Sequence, residues 1–360
     1  MFHPSRLTLA RIRRGLTKTD LAAHLRVAGK TVSAYETGDI VPPDSTVTDF
    51  SRILQFPAGF FSAGRVDILE ACGASFRSLS SMSARQRAAT LGAGTIAICF
   101  AEWIEQRFHL PRASLPDMRG HKPEAASEAV RYEWGIGERP IKNVIHLLES
   151  KGVRVFSLAQ ECHTVDAFSV WRNDTPYVFL NTMKSGERSR FDAAHELAHL
   201  LLHRHGAPQG RETEREADSF ASAFLMSRGS VLAAAPRLPS IDLLIQLKRN
   251  WNVSLASLVR RLHDLNLLDD WHYRGLCVEM ARLGYRTSEP NGIRRESSQL
   301  LQKVFQALRE RGMSFGTIAR SQHLPPNELS SLVFGLAIVP VAGCAVENAR
   351  PANTGELRLV

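Results

Sequence analysis

Residues 191–202 read F-D-A-A-H-E-L-A-H-L-L-L, and the motif H-E-x-x-H lies within a run that favours an α-helix. Histidines four residues apart lie one turn apart on the same helix face, so His195 and His199 can bind one zinc ion. Glu196 follows the first histidine directly, where its carboxylate can act as general base toward an attacking water. The segment therefore predicts a catalytic metal site on a helix, with a histidine-rich surface helix as the alternative.

A zinc site of this kind needs a third protein ligand, and the next predicted helix, over residues 212–226, is rich in carboxylates. Glu214 lies three and seven residues before Ala217 and Ala221, which belong to the expected buried face, so Glu214 faces inward. We predict Glu214 as the third ligand. Asp218, one turn further along, is placed to hydrogen-bond a ligand histidine.

Other polar side chains near this motif leave alternatives open. Glu216 shares a face with Phe220 and is the second choice for the third ligand. His203 and His205 are expected to continue a polar edge, with a role beside the metal as the alternative. The ligand types favour zinc (Zn2+) and leave manganese (Mn2+) open.

A second pattern occupies the N-terminal sixty residues. Thr17 can cap a helix that starts at Lys18, and Gly38 suits the end of a second short helix over residues 29–36. Two short helices joined by a tight turn form a helix-turn-helix pattern, with Lys18 and Arg26 placed to contact phosphates. Short polar side chains on the second helix face outward toward base edges. A helical bundle that binds protein is the alternative.

Residues 16–38, followed by Pro42, resemble the Cro/repressor-like, or Xre-type, helix-turn-helix family. The chain departs from that family at Arg26, where glycine is usual, and at Ala28, which replaces a hydroxyl cap. The resemblance implies double-stranded DNA as a partner. It implies DNA contacts at Lys18, Gly29, Lys30, Thr31, Ser33 and Ala34.

Residues 75–235 resemble the ImmA/IrrE-type metallopeptidases, which hold zinc with two histidines and one glutamate. The resemblance rests on the H-E-x-x-H motif and on Glu214-x-x-x-Asp218 in the following helix. It implies His195, His199 and Glu214 as metal ligands and Glu196 as the catalytic base. Single chains that join an Xre-type domain to an ImmA/IrrE-type domain are known.

Charge and composition agree with a DNA-binding N-terminal segment and a separate metal-binding segment. The 45 basic and 36 acidic residues leave a net charge of +9. Residues 1–60 carry 8 basic and 5 acidic residues, which suits a polyanion, whereas residues 161–235 carry 8 basic and 10 acidic residues, which suits a bound cation. The apolar stretches are too short for a membrane span. Five scattered cysteines without C-x-x-C spacing indicate a reducing cytoplasm.

We predict an α+β fold that is mostly α. A five-helix helix-turn-helix domain spans residues 1–65, and a zincin-like helical domain with a small antiparallel sheet spans residues 75–235. A C-terminal helical region spans residues 236–345. Within it, residues 313–336 look like another helix-turn-helix, for which packing or dimerisation is the favoured interpretation.

The functional hypothesis is a DNA-binding transcriptional regulator whose zinc endopeptidase domain cleaves a protein partner such as a repressor. The alternative is a metal- or ligand-sensing regulator, or an antitoxin-like repressor, without proteolytic activity. The expected partners are a double-stranded DNA operator, a protein substrate or regulated partner, and a second copy of the chain, since helix-turn-helix dimers match paired half-sites. A membrane is not expected among them.

Overall fold

The computed structural model describes residues 1–70, 82–158, 166–204 and 210–338. Over these residues the fold is mostly helical with one small mixed sheet, so the predicted fold class is confirmed. In the same part of the chain, no helix has the length and apolar character needed to cross a membrane.

The helices fall into runs separated by one strand-rich segment. Their bounds are α1 (Pro4–Arg13), α2 (Lys18–Leu25), α3 (Gly29–Thr37), α4 (Asp44–Leu54), α5 (Ala84–Glu105), α6 (Pro123–Glu133), α7 (Val144–Ser150), α8 (Gly186–Leu202), α9 (Arg211–Leu225), α10 (Arg228–Ala234), α11 (Ile241–Leu247), α12 (Leu255–Asp264), α13 (Asp270–Arg282), α14 (Gln299–Glu310), α15 (Phe315–Ser321) and α16 (Pro326–Val333). The strands are β1 (Arg154–Ser157), β2 (Ala167–Arg172) and β3 (Thr175–Leu180).

The chain divides into two compact units. The first holds Met1–Pro111, Phe156–Val165 and Ser298–Val360, and the second holds Arg112–Val155 and Asp166–Ser297. The domain boundaries expected from the sequence, 1–65, 75–235 and 236–345, stay a prediction.

In the first unit, α1 to α4 and a short 3-10 turn at Ala58–Ser62 make up the five short helices expected at the N-terminus. Thr17 caps α2: its hydroxyl accepts from the Asp20 amide at 3.0 Å, and the Asp20 carboxylate accepts from the Thr17 amide at 2.8 Å. Arg11 of α1 donates to both carboxylate oxygens of Glu36 at 2.6 and 3.0 Å. This ion pair ties α1 to α3.

The C-terminal helices belong to the same unit as α1. The Glu328 carboxylate, at the start of α16 and 2 % exposed, accepts from Arg13 at 2.8 Å and from Arg14 at 2.5 Å. Phe305 of α14 stacks on Phe100 of α5 with ring centroids 6.2 Å apart. The helical pattern over residues 313–336 thus packs, through Glu328, on the N-terminal helices.

The strands form a sheet with the order β1-β3-β2. β2 and β3 pair antiparallel, as expected, with Ser169 opposite Val178. Asn173 and Asp174 make the turn with φ of 46° and 60°, values that Asn and Asp tolerate better than other residues with a side chain. β1 makes the sheet mixed rather than wholly antiparallel. In the second unit, α8 packs against β2, β3 and α9.

Candidate metal centre

Helices α8 and α9 bring three of the predicted residues together. The Nε2 atoms of His195 and His199 lie 3.1 Å apart, and Glu214 places one carboxylate oxygen 3.3 Å from His195 Nε2 and the other 3.6 Å from His199 Nε2. Ligands at 2.0 to 2.1 Å from a tetrahedral zinc ion are separated by about 3.4 Å. The three donors therefore fit a divalent cation in chemical type and in spacing, and they form one compact group.

Apolar packing explains why these helices present their polar residues to each other. α8 buries Ala194, Leu197 and Ala198 completely, and α9 does the same with Ala217 and Ala221. Alanines at a helix contact let two backbones approach closely, because little side-chain volume separates them. The three predicted ligands then lie between the two helices, with His195 and His199 buried.

Asp218 lies where the sequence placed it, beside the first histidine. Its carboxylate is 2.9 Å from His195 Nδ1. Burial lowers the pKa of His195, but hydrogen bonds to Asp218 and Glu214 outweigh burial and raise this pKa to about 10. Burial, and then the neighbouring imidazoles of His195 and His203, act the other way and hold the pKa of His199 well below its ordinary value. Asp218 and Glu214 thus favour positive charge on His195, whereas His199 stays neutral.

Glu196 is buried on α8 and has a partner that the sequence did not reveal. The Ser169 hydroxyl, on β2, donates to Glu196 Oε2 at 2.7 Å. Ser169 lies 27 residues earlier in the chain, and only the antiparallel pairing of β2 and β3 under α8 brings it to this position. Its sequence signal is limited to one small hydroxyl residue between the apolar residues Phe168 and Val170.

If Glu196 is the catalytic base that the sequence predicts, replacing Ser169 by alanine lowers kcat/KM for the predicted hydrolysis by about tenfold, because one hydrogen bond to Glu196 is lost. Initial rates of hydrolysis by the wild type and the variant, measured at equal zinc content, test this expectation. Ser169→Thr keeps the hydroxyl and serves as the matched control. Equal rates for the alanine variant and the wild type would show that Ser169 does not orient the base.

Glu216 and His203, the alternative candidates near the motif, contact each other and lie outside the group of three predicted ligands. Glu216 lies outside the ligand group, and its carboxylate contacts His203 Nε2 at 2.8 Å. His203 Nδ1 in turn lies 3.0 Å from Nδ1 of His199. His205 falls outside the described residues.

The predicted DNA contacts lie at the start of α2 and along α3. Lys18 opens α2, and its ammonium donates to the Ser33 hydroxyl at 2.9 Å while its side chain stays 44 % exposed. Gly29 and Lys30 are exposed, and the other α3 positions are half-buried. These half-buried residues are Thr31, Ser33 and Ala34. All six residues are at least partly exposed, and their role as DNA contacts stays a prediction.

The two departures from the helix-turn-helix pattern are visible in the backbone. Arg26 adopts the left-handed conformation, with φ of 57°, at the position where glycine is usual. Ala28 occupies the N-cap of α3 with an extended backbone, φ −71° and ψ 148°, and no side-chain cap bond. The N-terminus of α3 therefore lacks one stabilising acceptor.

Replacing Ala28 by serine is expected to stabilise α3 by about 1 kcal/mol, since the backbone there already has the N-cap conformation. Amide hydrogen exchange within α3 would slow by about fivefold. Ala23→Ser, at an exposed position inside α2, is the control, because no helix start is available to it there. Unchanged exchange in α3 would contradict the capping argument.

Fold and site together define a protein that joins a helix-turn-helix domain to a metallopeptidase-type domain. Residues 5–59 match the family model described as a helix-turn-helix domain. Residues 148–263 match the model of a peptidase family described as the IrrE N-terminal-like domain, a family associated with zinc. The fusion expected from the sequence is thereby confirmed. A comparison with curated proteins gives no match.

Proposed function

We propose that this protein is a DNA-binding transcriptional regulator whose zinc-dependent endopeptidase domain cleaves a protein partner such as a repressor. The observation that carries the proposal is the compact group of two buried histidines, His195 and His199, and the half-buried Glu214 in a chain that also holds a helix-turn-helix domain. The group sits beside Glu196, which supplies the base that hydrolysis requires.

In this mechanism His195, His199 and Glu214 would hold the metal ion. Bound zinc supplies a Lewis acid that polarises the peptide carbonyl and acidifies the attacking water. Glu196 takes a proton from that water and returns it to the leaving amine. The Ser169 hydroxyl orients the carboxylate of Glu196 during both transfers, since it donates to Oε2.

The DNA-binding half of the proposal rests on the accessible face of α3. Lys30 and its neighbours on α3 would contact base edges, and Lys18 at the start of α2 would contact a phosphate. We propose a homodimer on a palindromic operator, because paired half-sites match a two-fold symmetric protein. A regulator of this kind works where the DNA lies, and we place it in the cytoplasm.

Capture of partners by a Glu196→Gln variant in cells tests the proposal. We expect the variant to retain a protein that the purified wild type cuts, because the glutamine side chain leaves the three ligands intact. The matched control is Glu133→Gln, an exposed glutamate on α6.

A partner cut by Glu196→Gln at the wild-type rate would overturn the peptidase mechanism. If zinc removal changes operator affinity while no captured protein is cut by the wild type, the protein is a metal-sensing regulator without proteolysis. That outcome has a structural basis, since the same chain provides the metal site and the DNA-binding helices.

A further inference from the structure

The two predicted ligand histidines differ in the hydrogen-bond partner of their second ring nitrogen, Nδ1. His195 reaches a carboxylate directly, with Nδ1 2.9 Å from Asp218. His199 reaches one only through another imidazole: its Nδ1 lies 3.0 Å from Nδ1 of His203, whose Nε2 lies 2.8 Å from Glu216. Ligand histidines generally donate their second ring N–H to a carboxylate, a carbonyl or a water, so an imidazole acceptor is unusual.

The chain of contacts determines where each proton lies. The Glu216 carboxylate accepts, so His203 carries its proton on Nε2 and keeps a lone pair on Nδ1. That lone pair accepts from His199 only when the His199 proton is on Nδ1. The lone pair of His199 Nε2 is then free on the side that faces His195 and Glu214. One carboxylate thereby selects the tautomer of a histidine that it does not touch.

Burial makes this support necessary. His199 is buried, and the side chain of His203 is only 9 % exposed, so water has little access to the contact between them. Glu216 is 44 % exposed and closes the chain at the protein surface. Without an acceptor at position 203, the Nδ1 proton of His199 would be buried without a partner, which is costly.

We infer that His203 and Glu216 form a positioning pair that holds His199 in the ring orientation and tautomer required for metal binding. This inference rests on the proposed metal site and adds two residues to it. The pair touches neither substrate nor the reacting atoms. Its effect is therefore expected in metal affinity before it is seen in catalysis.

Replacement of His203 tests the pair. His203→Leu removes the acceptor at similar volume, and we expect zinc affinity to fall by about 10- to 100-fold. His203→Asn places an amide oxygen where Nδ1 was, and we expect it to recover at least about tenfold of that loss, since the acceptor is restored. Affinities are measured on the full chain at one pH, by competition with a chromophoric zinc chelator.

Glu216→Gln completes the test. In the wild-type background it is expected to weaken zinc binding by about tenfold, because the amide no longer selects the His203 tautomer. In the His203→Asn background it is expected to have no effect, because asparagine has no ring tautomer to select. Glu212→Gln is the matched control and should bind zinc like the wild type, because Glu212 is exposed and lies one turn closer to the start of the helix on the same face.

The outcomes separate this inference from the proposed function. Thermal unfolding of the metal-free proteins reports folding independently of zinc, and we expect the His203→Asn and Glu216→Gln variants to unfold as the wild type does. Equal zinc affinity in His203→Leu and the wild type overturns the positioning pair alone. An equal loss from Glu216→Gln in both backgrounds also overturns it. Failure of the wild type to bind zinc overturns the proposed metal site together with the pair.

Discussion

The Glu196→Gln variant is expected to cleave the captured partner with a kcat/KM about 10²- to 10⁴-fold below that of the wild type. The amide has nearly the shape of the carboxylate, and its oxygen can still accept the hydrogen bond from Ser169. It cannot take a proton from the attacking water. The loss therefore reports proton transfer rather than packing, and it should appear in kcat with little change in KM.

Zinc content and folding distinguish this interpretation from a damaged site. The three ligands are unchanged in Glu196→Gln, so the variant should bind zinc with close to wild-type affinity. Glu133→Gln should cleave at the wild-type rate, because this exposed glutamate lies on α6. A comparable loss of rate in an assay where Glu196→Gln has also lost its zinc would assign the effect to the metal site instead.

Short-range spacing explains how much of this molecule the sequence could predict. The H-E-x-x-H motif places two imidazoles on one helix face through the helical period alone, and His195 and His199 indeed face each other. The placement of Glu214 and Asp218 also needed only the period of α9, together with the direction of its apolar face. The caps of α2 and α3, at Thr17 and Gly38, are equally local signals.

Contacts between distant parts of the chain could not be predicted in this way. Ser169 reaches Glu196 because a hairpin packs under α8, and no period in the sequence encodes that arrangement. Glu328 joins Arg13 and Arg14 across more than 310 positions. The turn at Asn173 and Asp174 predicted the antiparallel pairing of β2 and β3, but no local signal indicated that β1 makes the sheet mixed.

Glu216 shows the limit of helix-face arguments. The sequence offered it as a second choice for the third ligand, because it shares a face with Phe220. A helix face spans more than 100°, so facing inward does not decide which atom a carboxylate meets. In the structure, the Glu214 carboxylate contacts both His195 and His199. The Glu216 carboxylate contacts His203 instead, and its side chain is more exposed to solvent than that of Glu214.

Replacement of Glu214 by glutamine is expected to weaken zinc binding by more than about 100-fold, beyond the range expected when only a hydrogen-bond partner of a ligand is removed. A neutral amide oxygen is a poor substitute for a charged carboxylate on zinc. The change also removes one of the hydrogen bonds that raise the pKa of His195. Zinc affinity measured by chelator competition, and zinc content after dialysis, check the result.

Three glutamates on α9 allow the expected losses of zinc affinity to be ranked. Glu214→Gln should lose the most zinc affinity, because the Glu214 carboxylate faces the predicted metal position. Glu216→Gln should lose about tenfold, because Glu216 contacts His203. Glu212→Gln should lose none, because Glu212 is exposed to solvent. All three substitutions remove the same charge from the same helix, so a general electrostatic effect would give three similar losses. A larger loss from Glu216→Gln than from Glu214→Gln would exchange their roles. The order of the three losses therefore distinguishes a direct metal ligand from a residue that positions a ligand, and it distinguishes both from an effect of the net charge of α9.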